Sequence, residues 1–249
     1  MTSFDKFPQA LREKQEKSKK RLEELLQVQG EEQIHDFRTS VRRLETTYLI
    51  LPNSFKRKKT DHFVSSYKSL FKKTSLIRDF DIFFRSLPEN GLSEHSYLVN
   101  YFTSKKENQI DEVLKQARKL STLKIPSLAD GNIEKILPKY EKIVFSLVKK
   151  LQDYIPVVIS DESKMEELHS MRKTAKRLRY VLEDDPNDSY IPLVDKMKIF
   201  QDLLGDIHDC DITINLLKKF SNKFPQLHSV IVNEEKKRSN FYKNLIGFF

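Results

Sequence analysis

Glycine is scarce in this chain, at 5 of 249 residues. Gly-rich loops that cradle phosphate and turn-dense β folds both depend on it, so the count argues against both. Cysteine is scarcer still. The single Cys210 makes no intramolecular disulfide and leaves no cysteine cluster for a structural zinc or an iron–sulfur centre. Long apolar runs are missing too: the stretch 143–148 (IVFSLV) is far short of the roughly 20 residues a bilayer span requires. The opening residues, MTSFDKFPQAL, lack the apolar segment of a secretory signal. The expectation is a reduced, cytoplasmic chain with no membrane contact.

What the chain has instead is charge. Charged residues make up 33% against 38% hydrophobic, which predicts a globular but strongly solvated protein. Lys and Arg number 45 and Asp and Glu 36, a formal net charge of +9. That sign points to a polyanionic partner such as nucleic acid, anionic lipid or polyphosphate, without choosing among them.

Apolar periodicity and breakers predict eight helices, over about 9–28, 31–51, 55–87, 93–120, 133–154, 161–184, 190–222 and 225–246. Gly30 is expected to close the first, and Pro52, the cluster 88–91, Pro156, Pro186 and Pro225 to punctuate the rest. Only 155–159 has any strand character, and Pro156 lies inside it. The expected fold class is all-α, in two sets of four helices.

Self-similarity carries most of the information. IHDFRTSVRRL begins at Ile34, and LHSMRKTAKRL begins at Leu168, 134 positions later. His35, Arg38, Arg42 and Arg43 thereby align with His169, Arg172, Lys176 and Arg177. SLIRDFDI at 75–82 aligns with GDIHDCDI at 205–212, an offset of 130, matching Asp79 and Asp81 to Asp209 and Asp211. Two ordered blocks at nearly one offset predict two related halves, about 1–125 and 126–249.

The helical wheel gives these blocks a shape. At about 100° per residue, Arg38 and Arg42 fall within about 60° of His35. Ile34, Phe37, Val41, Leu44 and Tyr48 gather on the adjoining apolar face; the second block puts Leu168, Met171, Ala175, Leu178 and Leu182 there. Its stripe is His169, Arg172, Lys176 and Arg179. A basic stripe on an amphipathic helix is most often a solvated face. Its recurrence, with a histidine at the same place, favours a groove that holds an anion. Converging cations repel one another without one, and guanidinium groups suit phosphate oxygens. On this reading Arg38 and Arg172 contact the ligand and are dispensable for the fold.

At these residues the sequence resembles the CHAD family, the conserved histidine α-helical domain. The family pattern stands as His35-x-x-Arg38-x-x-x-Arg42-Arg43 and again as His169-x-x-Arg172-x-x-x-Lys176-Arg177-Leu178-Arg179-Tyr180. A second motif, rich in small and acidic residues, looks like Ser75-Leu76-Ile77-Arg78-Asp79-Phe80-Asp81, with its copy at Leu204-Gly205-Asp206-Ile207-His208-Asp209. The resemblance covers nearly the whole chain. It implies a single domain of two four-helix bundles related by pseudo-twofold symmetry, around a basic groove or channel that binds inorganic polyphosphate. Carried over by position, the binding residues are His35, Arg38, Arg42, Arg43, His169, Arg172, Lys176, Arg177 and Arg179, with Lys68, Lys72, Arg78 and Lys198 as weaker additions. Three positions depart from symmetry. Glu45 matches Arg179, Asp202 matches Lys72, and His208 matches Arg78, so the halves are expected to contribute unequally.

Several residues keep more than one reading. Asp79, Asp81, Asp209 and Asp211 either hold a hard cation or, the favoured reading, pair with nearby basic side chains. Each repeated histidine is a metal ligand, a phosphoacceptor or, favoured, a hydrogen-bond donor to phosphate or to a carboxylate. His62, His95 and His228 fall outside the repeats, and ordinary surface or core roles are expected for them. Cys210 is expected as a buried structural thiol. The leading function is non-enzymatic polyphosphate binding, with no catalytic residue, metal or cofactor. A polyphosphate ligand would bring the chain to polyphosphate granules. The alternative is a nucleic-acid-binding helical protein, although the stripes contain little aromatic interleaving apart from Tyr180. A metal-dependent phosphohydrolase rests only on the Asp-x-Asp pairs.

Overall fold

The computed structural model describes residues 6–87, 96–185, 189–225 and 227–249. Among them are nine α-helices: α1 (Phe7–Gln27), α2 (Glu31–Ile50), α3 (Lys58–Lys73), α4 (Ser75–Ser86), α5 (Ser96–Ser121), α6 (Ile136–Ser160), α7 (Met165–Glu183), α8 (Ile191–Ser221) and α9 (Leu227–Ile246). Two short 3-10 turns, Asn53–Phe55 and Ile133–Lys135, join them, and no strand occurs among the described residues. The fold is all-α. None of the helices among the described residues is long and apolar enough to cross a membrane. The breaker cluster 88–91, His95 and Pro186 lie outside the described residues.

Three details correct the sequence reading. The predicted helix over 55–87 is broken at Thr74 into α3 and α4. Arg38 supplies the reason. Its Nη1 donates to the Phe71 carbonyl (2.9 Å), Thr74 Oγ1 (2.9 Å) and Ser75 Oγ (3.2 Å). Gln109 Nε2 takes the Lys73 carbonyl at 3.0 Å. Side chains thus satisfy carbonyls that a continuous helix would have bonded to its own amides.

Pro156, expected as a breaker, lies inside α6, which runs on to Ser160. A proline removes the donor to the carbonyl four residues back, and Gln152 is exposed, so water can serve that carbonyl. The end of the helix is then held from α9, where the Tyr242 hydroxyl donates to the carbonyls of Val158 (2.6 Å) and Ile159 (3.1 Å). Gly30 does not close α1, which ends at Gln27. It is the N-cap of α2 in extended conformation (φ −81°, ψ 164°), accepting from the Ile34 amide at 3.1 Å.

The chain forms two compact units, each drawn from three segments. The first comprises Met1–Arg78, Thr103–Phe145 and Tyr180–Tyr190; the second comprises Asp79–Phe102, Ser146–Arg179 and Ile191–Phe249. The division therefore does not follow the repeat boundary near residue 125: α4, α5, α6 and α7 each pass from one unit to the other along their length.

In the first unit, α1 packs on α2 and α2 on α3. Leu11, Leu22 and Leu25 of α1 are buried, as are Ile34, Phe37, Val41 and Leu44 of α2. Tyr67 stacks on Phe63 with ring centroids 4.5 Å apart and lies 6.2 Å from Phe37. The segment 180–190 is tied in by Asp184, which accepts from Thr47 Oγ1 (2.5 Å) and pairs with Lys14 (3.5 Å). In the second unit α8 packs along α9. Its core joins Phe80, Phe83, Leu98 and Phe102 to Cys210, Ile214, Leu217, Leu227 and Ile231.

Candidate anion-binding site

Helix periodicity positions both stripes as the repeat requires. On α2 the apolar set Ile34, Phe37, Val41 and Leu44 is buried, and Tyr48 is half-buried. On α7 Leu168, Met171, Ala175, Leu178 and Leu182 are all buried. Each helix opens with a pair of acids in its first turn, Glu31 and Glu32 or Glu166 and Glu167, where the helix dipole favours negative charge. The basic residues then occupy the flank.

In the first unit the flank is not uniform. His35 is exposed, but Arg38 is 8% exposed and committed to the α3–α4 junction. The expectation that Arg38 is dispensable for the fold is thus corrected. It sits where the stripe meets the core, so its fork reaches backbone and hydroxyl acceptors. Its guanidinium carbon lies 4.3 Å from the Phe71 ring centroid, and that of Arg42 lies 5.0 Å from the same ring. Two guanidinium groups sharing one aromatic ring is a close gathering of charge. Burial pushes the Arg42 pKa below its usual value, opposed by Tyr180, which hydrogen-bonds it, and by Glu45, while the positive charge of Arg78 adds to the lowering.

Three of the remaining first-unit residues, Arg43, Lys68 and Arg78, carry carboxylate partners. Arg43 Nη2 lies 2.9 Å from Glu183, and its guanidinium carbon is 5.6 Å from the Tyr180 ring centroid. Lys68 pairs with Glu45 at 2.7 Å, and Arg78 pairs with Glu31. Lys72 is exposed on α3. The structure thus brings Arg38, Arg42 and Arg78 together. Sequence reasoning missed Glu31, Phe71 and Glu183, which hold or underlie these cations. Glu31 lies four residues before His35, one helical turn, and that spacing was available as a signal.

In the second unit His169, Arg172, Lys176 and Arg179 are half-buried, and Arg177 and Lys198 are exposed. Burial lowers the pKa of His169, and the charges of Lys173, Arg172 and Lys176 lower it further. Its ring centroid lies 4.9 Å from that of His208 on α8, with the planes at 34°. Sequence reasoning missed Lys173, although its spacing of four from His169 places it one turn along.

The acidic motif is used for pairing where its contacts are defined. Asp211 is buried and accepts from Arg238 Nε at 2.5 Å; Asp209 lies 3.9 Å from Arg85. Among the described residues no group of three or more His, Cys, Asp or Glu is arranged to hold a metal ion. Cys210 is buried as expected, and burial together with Glu234 raises its pKa to about 12. His62 and His228 are exposed.

Two concavities of about 510 Å³ lie elsewhere in the first unit, one lined by Lys58, Lys59, His62 and Lys124 among others, one by Lys135, Lys139 and Lys142. Neither includes a stripe residue. The stripes are cationic surfaces suited to an extended anion, unlike the apolar, enclosed pockets that take small molecules.

The family model for the CHAD domain matches residues 9–218. Among solved structures, the chain is similar to the CHAD domain from the plant Ricinus communis, with a TM-score of 0.64 at 17% identity. That likeness covers 100% of this chain and 91% of the other, and at such identity it shows the fold. No curated protein matches.

Proposed function

Since the chain belongs to the CHAD family, we propose that it binds inorganic polyphosphate on the cation sets of α2 and α7, without chemistry on the ligand. One observation carries this reading: in both units a stripe residue is held against other cations. Arg78 acts on Arg42, and Lys173, Arg172 and Lys176 act on His169. Such gatherings are self-repelling in the free protein, and a polyanion relieves them. Arginine forks give bidentate contacts to phosphate oxygens, and lysines add point charge. A ligand of this kind would carry the chain to polyphosphate granules.

Nucleic acid shares the phosphate backbone but offers bases, which call for stacking faces or edge-reading side chains. Tyr180, the aromatic among the stripes, is 6% exposed, with Arg42 and Arg43 against it, and presents no such face. The test is calorimetric titration with long-chain polyphosphate, orthophosphate and single-stranded DNA at several salt concentrations. Polyphosphate is expected to bind most tightly, with a log–log salt slope of roughly 0.7–0.9 per phosphate neutralised, by analogy with nucleic acids. Arg42→Ala with Arg172→Ala removes two charge-assisted contacts, each about 1.5–3 kcal/mol, and is expected to weaken binding at least a hundredfold. Tighter binding to DNA at matched charge overturns the reading, as does a folded double variant with undiminished affinity.

A further inference from the structure

Resting on the polyphosphate reading, we propose that His169 and His208 make the second cation set a proton-coupled anion site, one that grips phosphate chains more tightly as the pH falls. The geometry is a pair of imidazoles from two helices, 4.9 Å between centroids. Two rings that close do not both carry a proton readily unless an anion offsets the second charge.

The surrounding charges point the same way. From its own helix, His169 faces Arg172, Lys173 and Lys176, and their charges together with burial favour the neutral ring. From α8 it faces His208. Asp209 lies near Arg85 of α4, Asp211 is held by Arg238 of α9, and Asp206 feels Asp209, Asp202 and Lys237 of α9. A phosphate oxygen arriving at the pair reverses the balance on the imidazoles and draws in a proton. By linkage, whatever proton the ligand draws in strengthens the ligand in turn.

The first unit shows what this pair replaces. By the repeat alignment, Arg78 stands where His208 does, and Glu31, its carboxylate partner, stands where the second half has Met165. A guanidinium keeps its charge across the whole physiological range. Where the first half has a permanent, carboxylate-held cation, the second has a titratable ring, and Met165 stands at the position of Glu31.

The experiment titrates long-chain polyphosphate into the full chain at pH 6 and pH 8, in buffers of differing ionisation enthalpy so that proton uptake is counted. Wild type is compared with His208→Arg, His208→Gln, His169→Gln and, as a control, His62→Gln, with helicity checked by circular dichroism. Terminal phosphates of the ligand titrate in this range too, but equally for every variant. Wild type is expected to bind up to about a hundredfold more tightly at pH 6 than at pH 8 for one proton taken up, since one coupled proton gives at most one decade per pH unit. His208→Arg is expected to bind at pH 8 as wild type does at pH 6, and His62→Gln to keep the wild-type dependence. Binding with no proton uptake, or a dependence unchanged in His169→Gln and both His208 variants, overturns the proposal and leaves polyphosphate binding standing. Loss of binding at both pH values in wild type overturns polyphosphate binding itself, and the proposal with it. Should a variant fail to fold, the proton count on wild type decides.

Discussion

Two helices with the same pattern of histidine, arginine and basic pair end up with different surroundings. On α2 the first arginine is buried against the end of α3, and three of its basic neighbours are matched to Glu31, Glu45 and Glu183. On α7 the histidine lies tilted against a second histidine and faces three cations of its own helix. The helical face recurs in both, because it depends on periodicity within about 20 residues. The neighbours described around each differ, because they come from other helices.

Each unit also buries an arginine, and breaking these two is expected to have the largest effects. In the second unit Arg238 is 9% exposed, bonded to Asp211 at 2.5 Å and to the Glu162 carbonyl at 3.0 Å. Arg238→Met leaves the Asp211 carboxylate buried without its partner, and a loss of about 3–5 kcal/mol is expected in urea unfolding. Burial already raises the pKa of Asp211 against the pull of Arg238. A carboxyl raised in the folded state contributes stability at acid pH that is lost as the pH rises through its folded value. The deficit of Arg238→Met is therefore expected to widen from acid towards neutral pH, and adding Asp211→Leu to recover most of it.

Arg38→Ala comes next. Its removal takes from the Thr74 hydroxyl the donor it accepts from, and leaves the Phe71 carbonyl with the Thr74 hydroxyl as donor. A loss of about 2–4 kcal/mol is expected, most of it retained in Arg38→Lys, which lacks the fork. A melting temperature equal to wild type in Arg38→Ala would return this residue to the exposed stripe.

Much of this was legible in the sequence and some was not, for reasons that differ by residue. The buried faces of α2 and α7 follow from local spacing, as do the all-α fold and the buried Cys210. The break at Thr74 does not, because the group that stabilises it belongs to Arg38, 33 residues away from the carbonyl it takes. The same distance hid the role of Arg38: the wheel places it on the flank and says nothing of which neighbour covers that flank. Pro156 misled because a breaker is tolerated where the stranded carbonyl is solvated and another helix holds the end, here through Tyr242. Within the site, the histidine and arginine positions came from the repeat, whereas Glu31 and Lys173 were one helical turn away and went unweighed.

A smaller effect separates His169 from ordinary surface histidines. Burial and three nearby cations lower its pKa. A group so depressed contributes stability that is full above its unfolded value and is lost as the pH falls through its folded value. Thermal melts of wild type are expected to lose stability on acidification through the histidine range, and His169→Gln to flatten that decline. If His169→Gln and wild type decline in parallel, the neighbouring cations do not act on this ring as the geometry implies.

The smallest expected change tests the difference between the halves at one atom. Gly205 lies within α8, one turn before His208, and the repeat matches it to Ser75. A Cβ added there would meet nothing within 4 Å. Glycine in a helix interior costs about 0.5–1 kcal/mol relative to alanine, so Gly205→Ala is expected to stabilise the protein by that amount. Packing therefore gives no reason for glycine at this place, whereas close approach of an extended anion to the α8 backbone beside His208 does. If that is its use, Gly205→Ala raises the melting temperature while weakening polyphosphate, and Ser75→Ala in the first unit, where a Cβ is already present, leaves binding unchanged. A Gly205→Ala protein that is more stable and binds as tightly as wild type would remove the α8 backbone from the ligand's path and leave the anion to side chains.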